Sequence, residues 1–91
     1  MKMEEAIVIV ISKYPNFKLV SVVDYDNFFV FNIVPPGYNI ARDGEWFGGL
    51  TAVDKRLKTT LTFNPLMHNP SAYAKAVKDN IKYFTKKSAM I

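Results

Sequence analysis

Apolar positions recur with two different spacings along the chain, and the switches between them divide it into elements. Around residues 4–14, Met3, Ala6, Ile7, Val10, Ile11 and Tyr14 follow the i, i+3, i+4, i+7 spacing of one helix face. Glu4 and Glu5 at the start and Lys13 near the end complement the helix dipole. The run Ile7-Val8-Ile9-Val10-Ile11 is β-branched throughout and opposes helix by restricting χ1. Spacing and charge together predict a helix, ended by Pro15, which drives Tyr14 out of helical geometry.

Residues 18–25 carry the strand formers Leu19, Val20, Val22, Val23 and Tyr25, and residues 28–34 are the most strand-like run in the chain. Asp26-Asn27 between them tolerates the positive φ that a two-residue type I′ hairpin needs at both positions. Pro35-Pro36-Gly37 breaks the second strand, and residues 38–45 read as a loop turning at Asp43-Gly44. A third strand is predicted over 46–53, with Gly48-Gly49 marking a bulge or a close backbone approach, and a fourth over 57–63. Asn69 is a good N-cap with Pro70 at the first helical position. From there Tyr73, Val77, Ile81 and Phe84 fall within an arc of about 80°, opposite Lys75, Lys78, Lys82 and Lys86, so a helix is predicted over 73–84. Residues 87–91 read as a frayed tail. The expected fold is α+β, a four-stranded antiparallel sheet with an N-terminal and a C-terminal helix (α-β-β-β-β-α) in strand order 1-2-3-4.

Length and composition narrow the function classes. With 91 residues, residues 1–91 read as a single domain, and 49% hydrophobic residues exclude a disordered chain. The absence of Cys removes disulfides, thiolate zinc sites and thiol nucleophiles, and a single His removes a His-cluster metal site. No stretch approaches a membrane span, and the acidic flank at Glu4-Glu5 does not fit a secretory leader, so a cytoplasmic protein is expected.

Three segments carry a resemblance. They are Phe63-Asn64-Pro65-Leu66-Met67-His68-Asn69-Pro70 with Ala72-Tyr73 and Ala76-Val77-Lys78, the opening Glu4-Glu5-Ala6 with Lys13-Tyr14-Pro15, and Ala52-Val53-Asp54-Lys55. Together they resemble small phage- and prophage-encoded proteins of Gram-positive bacteria, a group with no assigned activity. The resemblance implies a phage-associated role and carries over no functional residue. It also implies a Gly-containing turn after Val53-Asp54-Lys55, where this chain has Arg56-Leu57-Lys58-Thr59.

Charge divides the chain: residues 1–45 carry a net −2 and residues 46–91 a net +6. The cations form a cluster at Lys55, Arg56 and Lys58 and a row at Lys75, Lys78, Lys82 and Lys86. Such a basic set fits phosphates, an acidic protein or simple solvation. With one Arg in it, nucleic-acid binding would be sequence-nonspecific.

The second strand offers another surface. Phe29, Phe31 and Ile33 lie on one face; Phe28, Val30 and Val34 lie on the other, with only Asn32 polar. A sheet with one solvated face alternates apolar and polar residues, and this strand does not. Either a second copy or a protein partner covers Phe28, Val30 and Val34, or the two helices lie on opposite faces.

Nothing in the pattern makes a catalytic set. His68 has no neighbouring carboxylate and reads as a loop or capping residue. Glu4 with Glu5, and Asp24 with Asp26, read as exposed acids, and Phe29, Phe31 and Trp46 as core rather than a stacking platform for bases. Gly37, Gly44, Gly48 and Gly49 match no phosphate-binding or dinucleotide fingerprint. The expectation is a non-enzymatic interaction or assembly module without cofactor or metal, self-associating or binding a protein. A nucleic-acid accessory protein using the basic C-terminal helix is the alternative.

Overall fold

The β1–β2 hairpin is the frame on which everything else is laid. The computed structural model describes residues 1–43, 50–67 and 69–84. β1 (Lys18–Tyr25) pairs antiparallel with β2 (Phe28–Val34) through a two-residue turn. Of the turn residues only Asp26 has positive φ, at 51°, so the turn is not the expected type I′, which needs Asn27 there as well. The ladder slips between Leu19 and Ser21, leaving Val20 as the extra residue of a bulge. The slip lets Leu19 and Val22 pack on one side of the sheet although they are three residues apart.

β2 then pairs with β3 (Leu50–Asp54), and β3 with β4 (Thr60–Thr62), all antiparallel. The expected order of the first four strands is found, within a five-stranded sheet of order β4-β3-β2-β1-β5. Residues 46–49, where the third strand was expected to begin and Gly48-Gly49 to mark a bulge, lie outside the described residues. The fourth strand is shorter than expected because residues 54–59 form a wide turn. The Asp54 carboxylate accepts the N–H groups of Arg56 (2.8 Å) and Leu57 (2.9 Å), and Lys58 takes a φ of 57°. Part of the expected loop over 38–45 is a helical turn, α2 (Ile40–Asp43), where the Asn39 side chain accepts from the Arg42 N–H.

α1 (Met3–Lys13) forms where the apolar spacing placed it, and α3 (Pro70–Asn80) starts at the expected cap, with Asn69 Oδ1 accepting from Ala72 N at 3.1 Å. α3 stops four residues before the expected end. Ile81 is already extended, and β5 (Ile81–Tyr83) pairs antiparallel with β1. A sheet edge at β1 outcompetes the weak helix propensity of Asn80, Ile81 and Tyr83. Asn80 Nδ2 donates to the Asp24 carbonyl and fastens the crossover. The fold is therefore α+β as expected, with a fifth strand in place of the last helical turn.

The helices lie on opposite faces. Ala6 and Val10 of α1 pack with Val22, Phe29, Phe31, Ile33 and Val53. Ala76 of α3 packs with Val23, Val30, Ala52 and Phe63, with Tyr73, Val77 and Ile81 beside them. Phe84 crosses back and stacks on Phe31, ring centroids 6.4 Å apart. The apolar period thus runs through Ile81 and Phe84 even though the helix does not. Among the described residues no helix is long and apolar enough to cross a membrane.

Candidate functional site

Opposed helices remove the open sheet face. Val30 and Val34 are each 1% exposed, and Phe28 is partly buried against the α3 side. Of the two expected arrangements, Phe28, Val30 and Val34 meet the one in which the helices lie on opposite faces and cover them within the chain. Phe29 and Phe31 are buried in the core on the α1 side, as expected. Trp46, His68, Lys86, Gly44, Gly48, Gly49 and the tail 87–91 lie outside the described residues.

The basic cluster at the β3–β4 turn is matched by carboxylates. Lys55 Nζ sits 2.6 Å from Asp24 Oδ1 and 2.8 Å from the Asp26 carbonyl, and lies 4.6 Å from the centre of the Phe29 ring. Its backbone N–H donates to the Asn27 carbonyl, so Lys55 ties the two turns at this end of the sheet together. Lys58 Nζ lies 3.6 Å from Glu5 Oε2. The Lys2 backbone N–H first, and then the Lys58 charge, hold the Glu5 carboxyl below its ordinary range. Asp54 is held low by the N–H groups of Leu57 and Arg56, with the Arg56 charge adding to them. Lys55 and Lys58 therefore each have a carboxylate within ion-pair distance, while Arg56 meets Asp54 through its backbone N–H.

The basic row is divided by the change from helix to strand. Lys75 pairs with Asp79 at 3.0 Å along α3. Lys78 is exposed on the same helix. Lys82 lies in β5 opposite Val22, whose side chain belongs to the α1 side of the sheet. Cross-strand partners share a face, so Lys82 stands on the opposite side of the sheet from α3. A single lysine face from residue 75 to residue 82 is not formed.

What the sequence reading missed lies between β4 and α3. The 3-10 turn Pro65–Met67 presents Leu66 and Met67 at 78% and 79% exposure, the highest of the large apolar residues among those described. The turn is fastened from its N-terminal side by Asn64. Asn64 Oδ1 accepts from Leu66 N at 3.0 Å and the Asn64 carbonyl from Met67 N at 2.9 Å, while Asn69 caps α3. Phe63, immediately before, is buried among Tyr25, Phe28 and Tyr73, with ring centroids 5.3–6.0 Å away. The available signal was two large apolar residues between Asn-Pro and Asn-Pro, a spacing that leaves them no helix or strand period to join.

Among the described residues no three His, Cys, Asp or Glu side chains gather as a cation site. Burial pushes the Tyr73 hydroxyl above its ordinary pKa. No protein family, no curated protein and no solved structure matches the chain.

Proposed function

We propose that the protein is a non-enzymatic interaction module that binds a protein partner through Leu66 and Met67. The observation that carries this reading is their exposure on a turn whose N–H groups are held by Asn64. Apolar side chains held out by a fixed backbone lose little freedom on binding, and Met adapts to the surface it meets. The resemblance through residues 63–70 supports a phage-associated setting for the same segment. Division of the basic row, together with the acids paired with Lys55, Lys58 and Lys75, favours a protein over a nucleic acid as partner.

The test compares the chain with a Leu66→Ser/Met67→Ser double variant as immobilised baits, both checked by circular dichroism. Because both side chains are exposed, the variant should melt like the parent while losing the captured protein. Equal capture by the two baits would overturn the reading. Binding to duplex or single-stranded oligonucleotides, falling with salt at a log–log slope of about −0.9 per duplex phosphate contacted, would favour the nucleic-acid alternative.

A further inference from the structure

The two edges of the sheet differ in a way that points to a second copy of the chain. β4 and β5 are each three residues long and each pairs on one side only among the described strands. Along β3–β4, Asp54 N donates to the Thr59 carbonyl and Phe63 N to the Leu50 carbonyl. Antiparallel ladders alternate, so Leu61 also turns its backbone groups inward to Ala52, while those of Thr60 and Thr62 point away from the sheet. The same reasoning at β5, from the bond between Phe84 N and the Val20 carbonyl, turns Ile81 and Tyr83 outward and Lys82 inward.

A two-fold axis laid through the middle residue of each edge separates them. At β5 the axis would set Lys82 directly against the second copy's Lys82, a like-charge pair that blocks self-pairing. At β4 it sets Leu61 against the second copy's Leu61 and Thr60 against the second copy's Thr62. Residues 59–67 contain no charge, so nothing repels. The outward N–H and carbonyl of Thr60 meet those of the second copy's Thr62, and the axis repeats the exchange. The leucines then form a close, non-hydrogen-bonded pair on the α3 side, where Leu61 already packs at the margin of the core. The register is self-complementary, as an isologous interface requires.

We propose that the β4 edge pairs with the β4 edge of a second copy, antiparallel about Leu61, to make one continuous ten-stranded sheet. The pairing goes beyond the partner surface at Leu66 and Met67 and does not depend on it. With so few residues paired, the dimer is expected to form reversibly with concentration.

The experiment is light scattering across a dilution series, with amide exchange read at both ends of the series. The mass should rise from the 10.4 kDa chain toward twice that value. The Thr60 and Thr62 amides should become protected as it does, while those of Ile81 and Tyr83 do not change. Thr62→Pro removes an outward N–H without touching the bonds to β3, costing two donors per dimer and weakening association about tenfold or more. Should the proline variant fail to fold by circular dichroism, Thr60→Lys serves in its place by setting a charge on the edge. A monomer at every concentration overturns the proposal. So does a dimer that leaves Thr60 and Thr62 unprotected, or one that Leu66→Ser/Met67→Ser abolishes while the edge variant leaves it intact. That last pattern would move self-association to the turn, whereas partner capture without self-association would keep the turn and remove the edge.

Discussion

α1 and α3 cover the same sheet with opposite means. α1 brings aliphatic bulk of its own: Ala6 and Val10 are fully buried, with Met3, Ile7 and Ile9 packed beside them. α3 buries only Ala76 and relies on rings for the rest, Tyr73 meeting Tyr25 at 5.4 Å and Phe63 at 5.3 Å between centroids. A small residue lets the α3 backbone approach, and aromatics from β1, β2 and the segment after β4 fill the space around it. A polar, lysine-bearing helix can therefore close a face when other segments supply the volume. The reverse holds for α1, whose apolar surplus leaves Val8 and Ile11 in solvent.

Substitutions at the two centres should expose this asymmetry. Phe31→Ala, at a fully buried ring on the α1 side, should cost about 3–5 kcal/mol in urea unfolding. Tyr73→Ala should cost less, about 1–3 kcal/mol, because that ring is only partly buried at the margin of its cluster. Equal losses would mean that α3 holds its face as firmly as α1 does. Asn69→Ala removes the cap that starts α3 and should cost about 1 kcal/mol, read as earlier amide exchange along that helix than along α1. Lys58→Gly should go the other way, relieving the positive φ and raising stability by up to about 1 kcal/mol, less what the exposed contact with Glu5 contributes.

The smallest effect is in acid. Glu5 is held low chiefly by the Lys2 N–H, Asp43 by the Arg42 guanidinium and Asp54 by the Leu57 N–H. Each lowered carboxyl contributes stability above its unfolded value, near about 4, and loses it as pH falls through the lower folded value. Thermal melts should therefore move down modestly between about pH 4.5 and pH 2, and a melt insensitive to that range would contradict the turn and cap geometry.

The parts of this fold that were legible in the sequence are those with a local cause. The strand-forming runs of residues 18–34 and the two-residue connection between them, the Asn69 cap and the face of residues 4–14 each follow from neighbours along the chain. β5 was not legible, because Ile81 and Phe84 keep the helical period while serving the two faces of a sheet. What ends the helix is the edge of β1, and no residue near 81 announces it. The wide turn at Asp54 was hidden for another reason, since Lys58 adopts a backbone conformation that sequence rules reserve for Gly or Asn. The covering of Phe28, Val30 and Val34 turned on helix placement, for which both answers fit the same pattern. Leu66 and Met67 had no period to betray them.

The join between α3 and β1 also bears on the order of folding. Asn80 reaches the Asp24 carbonyl across 56 residues of chain, while β1 and β2 meet through a two-residue turn. Closing the longer loop forfeits more chain entropy before any contact repays it, so β5 should dock late, after the hairpin has formed. Interactions formed after the rate-limiting barrier govern escape from the native state rather than arrival at it. The pairing of Ile81, Lys82 and Tyr83 with β1 then acts as a latch on the unfolding rate: weakening it would shorten the lifetime of the folded chain while leaving its speed of folding nearly untouched.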